Sequence, residues 1–225
     1  MAKKYIDPEG QALRNSLIVP CIVLVLIWLI FGIDQIFGLE LGRFGIIPLK
    51  PIGLIGIFSS PLLHANIGHI AANSVPFFML LAGLFYFYRD MAWKILFLSW
   101  LLTGIGVWCF ARGEGSHIGA SGLIYAFATF HFLSGVIRKN KRLAAFSLLV
   151  TFLYGSLVWG IFPNFFQKEN VSWESHLMGG IAGIILAIYF RHEGPGSDLY
   201  TIDDDDEDEY DDGEWKIDNE PSNED

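Results

Sequence analysis

Long stretches of apolar residues without Asp, Glu, Lys or Arg recur along this chain, and they constrain its fold more than any other feature. There are six: Leu17–Ile33, Ile67–Tyr88, Ile95–Ala111, Ile118–Ile137, Leu143–Phe162 and Leu177–Phe190. Most approach the roughly 20 residues that an α-helix needs to cross the hydrocarbon core of a bilayer. The last has only 14 residues, so it spans only if Trp173 to His176 extend it. The stretches lack the period-two alternation of barrel strands, and we predict an all-α, polytopic membrane bundle of six transmembrane helices.

The positions of the basic residues predict the orientation of the bundle, because cytoplasmic loops are enriched in Lys and Arg. Ten lie on one side of the predicted membrane: Lys3, Lys4, Arg14, Arg89, Lys94, Arg138, Lys139, Lys141, Arg142 and Arg191. The other side has four: Arg43, Lys50, Arg112 and Lys168. Both termini are therefore predicted to be cytoplasmic. The first stretch follows polar residues and lacks a small-residue cleavage site, so we expect a retained helix rather than a signal peptide.

The charge of the chain divides it into a body and a tail. The net charge is −9, but residues 201–225 contain fourteen acidic residues against one base, Lys216, which leaves the first 200 residues at +4. We predict a cytoplasmic N-terminal segment over 1–15, a membrane domain over 16–192, and a linker with a disordered, acidic cytoplasmic tail over 193–225. The lipid bilayer is the predicted environment, and no nucleic-acid partner is expected.

Neither the cysteines nor the histidines form a pattern typical of a metal or cofactor site. Cys21 and Cys109 are predicted in opposite leaflets, too far apart for a disulfide, and we interpret both as small packing residues. His64 and His69 are five residues apart, which places them on different faces of a helix. The sequence has no His-Glu-x-x-His motif. We predict no metal and no cofactor.

The informative residues are the polar ones within the predicted membrane region, because ionisable groups at that depth cost free energy and are functional candidates. They are His64, His69, Asn73, Ser121, Tyr125, His131 and His176. Counting from the inner basic residues at about 1.5 Å per residue places three of them at a common height of about 22 to 25 Å. These three are Asn73, Ser121 and His176. The sequence therefore predicts one polar layer a few ångströms below the outer surface.

Small residues accompany this layer on the fourth and sixth stretches, and they are Gly122, Ala126, Gly179 and Gly183. The last two follow His176 by three and seven residues and share its helical face. Small residues spaced by four let membrane helices approach closely, so we predict that the two spans pack with Ser121 opposite His176. The alternative is that these residues serve packing alone, with Ser121 bonded along its own helix. That alternative explains poorly why Ser, His and Asn share one depth.

A serine beside a histidine is typical of nucleophilic catalysis, since the hydroxyl becomes reactive when a neighbouring base takes its proton. We interpret Ser121 as the nucleophile and His176 as the general base. His69 and Asn73 share a helical face, and we predict that they donate to the oxyanion together with the backbone N–H of Ser121. Tyr125, one turn after Ser121, is predicted to pack on the His176 ring. No carboxylate is placed to orient His176, so we predict a dyad.

Three motifs together resemble those of the rhomboid intramembrane serine proteases. They run from His64 to Asn73 (HANIGHIAAN), from Gly119 to Tyr125 (GASGLIY) and from His176 to Gly179 (HLMG), with Gly183 following. The resemblance covers about residues 14–192 and matches the basic six-helix form. It implies the same catalytic roles for Ser121 and His176 and the same oxyanion roles for His69 and Asn73. It also places five residues in supporting positions: His64, Gly119, Gly122, Gly179 and Gly183.

The resemblance further implies a substrate class, namely membrane-anchored proteins cut near the outer end of their transmembrane helix. One departure is that the first outer loop has Ile57-Phe58-Ser59-Ser60 and lacks the Trp-Arg pair common in the family. This departure concerns how the loop is anchored and leaves the chemistry unchanged. The compact form indicates a prokaryotic plasma membrane.

Two other functions compete with a protease. A proteolytically inactive rhomboid-like protein could bind membrane clients, but the presence of both Ser121 and His176 argues against it. A transporter or proton channel is disfavoured, because no span has an interior carboxylate and no inverted repeat is evident. Among the remaining histidines, His117 is interpreted as a polar cap before the fourth span, His131 as paired within the bundle, and His192 as a head-group contact.

Overall fold

The structure is a computed structural model that describes residues 8–113, 115–153 and 172–196. Its α-helices are α1 (Pro8–Phe37), α2 (Gly56–Ser59), α3 (Ile67–Phe87), α4 (Ala92–Phe110), α5 (Ser121–Ile137), α6 (Lys141–Leu153) and α7 (Trp173–Tyr189). Three 3₁₀ helices, Leu41–Phe44, Pro51–Leu54 and Ser60–Leu62, lie between α1 and α3. Within the described residues the only β pairing is an isolated bridge between Ile46 and His117. The prediction of an all-α fold is therefore confirmed.

The longer helices lie where the apolar stretches are. Of the described helices, α1, α3 and α4 are long and apolar enough to cross a membrane, and α5 is a shorter apolar helix. Helix α7 begins at Trp173, so it includes the extension that the 14-residue stretch requires. The second half of the stretch Leu143–Phe162, residues 1–7 of the N-terminal segment and the acidic tail lie outside the described residues.

Helix α5 begins later than its apolar stretch. The stretch starts at Ile118, whereas the helix starts at Ser121. The reason is Gly119, whose φ is +115°, a conformation that a helix excludes and that residues with a Cβ rarely adopt. Residues 118–120 therefore form a turn, and Ser121 is the first residue of the helix.

Helix α5 lies at the centre of the bundle and packs against α3, α4, α6 and α7. Every residue from Gly122 to Ala128 is buried, so this helix contributes apolar side chains to the core on several faces. Its most extensive contact is with α7. A Cβ on Gly179 would overlap the carbonyl oxygen of Gly122, and one on Gly183 would overlap that of Ala126. The predicted close approach of the fourth and sixth stretches is therefore present as a backbone contact.

The connection between α1 and α3 is held against α4 by two tryptophans. Trp100 Nε1 donates to the carbonyl of Ile57 at 2.8 Å, and Trp108 Nε1 donates to the carbonyl of Lys50 at 3.0 Å. Ile57 also packs against Gly104, where a Cβ would lie 2.7 Å from its Cγ2 atom. These contacts anchor the connection between α1 and α3 to α4, although this connection lacks the Trp-Arg pair.

Candidate active site

Ser121 lies at the start of α5, immediately after the turn at Gly119. The first N–H groups of a helix have no intrahelical acceptor, so the backbone N–H of Ser121 is available to a ligand at this end. The connection between α1 and α3 fixes the turn, because the N–H of Gly119 donates to the carbonyl of Ser60 at 2.8 Å. The sequence thus places a hydroxyl and a helix N-terminus, which favours negative charge, at one point.

His176 lies in the first turn of α7, on the face that packs on α5. Its ring stacks on the Tyr125 ring, with centroids 4.3 Å apart and planes inclined by 18°. Tyr125 is one turn after Ser121 and shares its face. Gly179, three residues after His176, contacts the backbone of Gly122. The His176 imidazole is buried and packs against the face of α5 to which Ser121 belongs.

Helix α3 brings two further predicted residues to the turn before Ser121. A Cβ on Gly119 would lie 2.6 Å from Nε2 of His69 and 3.5 Å from Nδ2 of Asn73. Glycine is therefore required at 119 both for its positive φ and for this close approach. The N-terminus of α3 is capped by Asn66, whose Oδ1 accepts from the backbone N–H of His69 at 2.9 Å. His69 and Asn73 thus face the same turn, as their i and i+4 spacing predicts.

His64 connects Asn73 to the turn. Its Nε2 lies 3.1 Å from Nδ2 of Asn73 and 3.5 Å from the backbone N of Ala120. Both partners can only donate, so Nε2 is the acceptor and the ring proton is on Nδ1. Burial, together with the neighbouring His69 ring, lowers the pKa of His64 to about 3. A neutral His64 therefore orients the Asn73 amide.

The predicted separation of His64 from His69 is wrong. The prediction placed both on one helix, but α3 starts at Ile67, and His64 lies in the loop before it. The chain bends at residues 65–66 before the helix begins, and the two rings meet edge to face with centroids 5.0 Å apart. The described residues contain no group of three or more His, Cys, Asp or Glu side chains that could hold a metal ion.

The three remaining histidines lie away from this turn or have other contacts. His131, ten residues after Ser121 on α5, is fully buried, and its Nδ1 bonds the carbonyl of Phe127 at 2.7 Å. His192 is exposed and accepts from Nε of Arg191 at 2.9 Å. His117 does not cap α5, which corrects its sequence interpretation. Its backbone pairs with Ile46, and its ring bonds Ser172.

Sequence reasoning missed two residues that position the site. Ser60 supplies the carbonyl that fixes the Gly119 turn, and a backbone acceptor has no sequence signal. Ser172 caps α7, since its Oγ accepts from the backbone N–H of Ser175 at 3.2 Å. A Ser three residues before another polar residue at the start of a helical stretch is a recognisable capping signal, so Ser172 could have been found.

Taken together, the described residues assemble a hydroxyl, an imidazole, side-chain N–H donors and a helix N-terminus at one end of the bundle. A hydroxyl can be activated for nucleophilic attack by an imidazole within hydrogen-bond reach, and His176 lies on the neighbouring helix with its ring on Tyr125, one turn after Ser121. Side-chain N–H groups that converge with the backbone N–H groups of a helix N-terminus can together stabilise an oxyanion. Asn73 and His176 are buried, which strengthens the electrostatic interactions of their side chains, whereas Ser121 and His69 are partly exposed. This arrangement can perform acyl transfer within a membrane domain.

A family profile for the Rhomboid domain matches residues 52–193. An uncharacterized protein of Mycobacterium tuberculosis is 38% identical over 172 residues, which cover 72% of this chain and 70% of that protein. An uncharacterized protein of Mycobacterium leprae is 33% identical over 175 residues, covering 73% and 67%. Rhomboid-related protein 2 of Mus musculus is 24% identical over 133 residues, covering 56% and 44%. The domain match and these relatives, with the apolar helices, establish that the chain is a multi-pass membrane protein of the rhomboid family.

Proposed function

We propose that this chain is an intramembrane serine endopeptidase with Ser121 as nucleophile and His176 as general base. The observation that carries the proposal is the stacking of the His176 ring on Tyr125, one turn after Ser121, at 4.3 Å. The contact of Gly122 with Gly179 holds the two helices at this separation. Membership of the rhomboid family, whose members act within the bilayer, supports the same reading.

In the proposed reaction, His176 removes the Ser121 hydroxyl proton as the oxygen attacks the scissile carbonyl. The resulting oxyanion accepts hydrogen bonds from the Ser121 backbone N–H and from the His69 and Asn73 side chains. His176 then gives the proton to the leaving amine, which breaks the peptide bond and leaves an acyl group on Ser121. A water molecule, deprotonated by His176, hydrolyses this ester and restores both residues. The reaction needs no metal or cofactor.

The proposed substrates are membrane-anchored proteins, cut near the outer end of their transmembrane helix. This follows from a bundle of six spans over 16–192 with both termini in the cytoplasm, which places the start of α5 near the outer face of a prokaryotic plasma membrane. Accessibility tags on the N-terminus and after residue 200 are expected to report the cytoplasm, and a tag between 162 and 174 the outer side. A cytoplasmic tag between 162 and 174 would overturn this orientation.

The test is cleavage of single-pass reporter proteins by the purified chain in liposomes. Ser121→Ala should abolish cleavage without unfolding the protein, because only one hydroxyl is lost. Ser116→Ala is the matched control. Ser116 is a nearby serine in the connection that leads into α5, and its hydroxyl donates to the carbonyl of Gly42. If the unmodified chain and the Ser121→Ala variant bind the reporters equally and neither cuts them, the result would favour the inactive, client-binding function.

A further inference from the structure

Three polar side chains form a hydrogen-bonded chain next to the candidate site. His117 Nδ1 lies 2.6 Å from Ser172 Oγ, and Ser172 Oγ lies 2.7 Å from Ser175 Oγ. Ser172 Oγ also accepts from the backbone N–H of Ser175. A hydroxyl has one donor and two acceptor positions, so these three contacts use the whole bonding capacity of Ser172. The chain connects the α4–α5 connection to the first turn of α7.

The backbone of His117 is itself held in place. Ile46 and His117 exchange two backbone hydrogen bonds, with N–O distances of 3.0 and 2.8 Å. Gly45 packs so closely here that a Cβ on it would overlap Ser116 and Ile118 side-chain atoms. The imidazole is therefore presented to α7 from a segment that is fixed by the first outer loop. A bond from such a segment restrains the position of α7 more than a bond from a freely moving loop.

The register of this contact is what links it to the candidate catalytic pair. His117 is four residues before Ser121, and Ser172 is four residues before His176. On the other side of the pair, Gly122 and Gly179 are in backbone contact. Ser121 and His176 thus lie between two fixed contacts that join the same two segments. The glycine contact sets the helix separation on one side of the pair, and the His117–Ser172 bond sets it on the other.

We propose that His117 is a positioning residue, whose hydrogen bond to Ser172 fixes the start of α7 and thereby the placement of His176 against Ser121. The inference rests on the proposed function, because it concerns the geometry of that pair. It assigns His117 no contact with substrate. Small displacements of a base from its nucleophile are costly, since about 1 Å can lower a rate by about 10²-fold.

The experiment measures saturation kinetics of covalent labelling by a fluorophosphonate, which separates the maximal labelling rate from the apparent affinity. His117→Phe keeps a ring but removes the bond, and it should lower the maximal rate by about tenfold or more with apparent affinity within about twofold. His117→Asn should restore most of the rate, because its amide atoms occupy the same side-chain position as Nδ1. His192→Phe is the matched control and should label normally, because His192 is exposed and its ring bonds Arg191.

A second variant removes the same bond from the other end. Ser172→Gly should also lower the maximal labelling rate, and combined with His117→Phe it should cause little further loss. Glycine is a well tolerated N-cap residue and costs the helix little stability relative to Ser, so the helix should still form. This variant provides the test if His117→Phe fails to fold.

Two results would overturn the positioning role. One is a normal maximal rate in both His117→Phe and Ser172→Gly. The other is an equal defect in His117→Phe and His117→Asn, which would mean that the imidazole ring and not its hydrogen bond matters. If labelling of the unmodified chain does not depend on Ser121 or His176, the proposed function fails and the positioning role fails with it. If that dependence is intact, the result concerns His117 alone.

Discussion

At the scale of single residues, the two N–H groups of the Asn73 amide allow a catalytic role to be tested against a structural one. Its amide carries two N–H groups, and Nδ2 lies 3.1 Å from the accepting Nε2 of His64. That contact occupies one N–H. The same Nδ2 lies 3.5 Å from the position that a Cβ on Gly119 would occupy, so its second N–H is near the N-terminus of α5, where an oxyanion formed on Ser121 would lie.

Asn73→Ala is therefore expected to lower turnover by about 10² to 10³, as the loss of one oxyanion donor does elsewhere, with little change in KM. The measurement is steady-state cleavage of a reporter in liposomes. Ser74→Ala is the matched control, because Ser74 is the next residue on α3 but bonds Trp28 of α1 and the carbonyl of Ile70. Normal turnover with reduced thermal stability in Asn73→Ala would identify Asn73 as a structural tie.

His64 predicts a pH dependence of stability. Its pKa is about 3 in the folded chain against 6.5 for an ordinary histidine, so below pH 6.5 the unfolded chain binds a proton that the folded chain does not. The contribution of His64 to the free energy of unfolding is fully present above about pH 6.5. It decreases by at most about 1.4 kcal/mol per pH unit as the pH falls toward 3. Thermal unfolding at pH 7.5, 6 and 5 should show a shallower decline for His64→Gln, which retains a polar partner for Asn73. Equal slopes would contradict this assignment.

At the scale of helices, the contact of α5 with α7 is the part of the site that the sequence predicts best. Small residues at 122, 126, 179 and 183 mark the two facing surfaces, and Gly179 and Gly183 of α7 each meet a backbone carbonyl of α5. The pattern is readable because helical periodicity alone decides which residues share a face. The same reasoning correctly pairs His69 with Asn73 on α3.

Gly179→Ala should therefore reduce both activity and stability. The added methyl group would overlap the carbonyl oxygen of Gly122, which forces the helices apart at a cost of about 1 to 3 kcal/mol and moves His176 away from Ser121. Gly180→Ala is the matched control on the neighbouring residue, where the nearest atom to an added Cβ is Thr129 Oγ1 at 3.7 Å. Reporter cleavage and thermal unfolding of both variants check this. Comparable behaviour of the two alanine variants would refute a specific role for the 179 contact.

The loops were less predictable than the helices, for a physical reason. The position of His64 beside His69 depends on a bend of the chain at residues 65–66, and the tie between Ile46 and His117 joins segments 71 residues apart in sequence. Neither follows from local periodicity. Likewise, the sequence shows that the connection between α1 and α3 lacks a Trp-Arg pair, but only the structure shows that Trp100 and Trp108 of α4 donate to its carbonyls.

At the scale of the whole molecule, the candidate site is built from four segments that are distant in sequence. The connection between α1 and α3 contributes Ser60 and His64, α3 contributes His69 and Asn73, α5 begins at Ser121, and α7 supplies His176. Apolar contacts of α5 with its neighbours hold these segments together. Such a site is sensitive to helix packing throughout the bundle, because no single segment carries the complete constellation.

The most direct test of the central claim is the location of a covalent label. The purified, full-length chain is treated with a fluorophosphonate in a lipid environment, and the modified residue is identified by mass spectrometry. We expect a single modified serine, Ser121, and loss of this modification in His176→Ala at an unchanged unfolding temperature, because an unassisted hydroxyl stays protonated. Modification of another residue, or equal modification of Ser121 without His176, would contradict the assignment of these two residues as nucleophile and base.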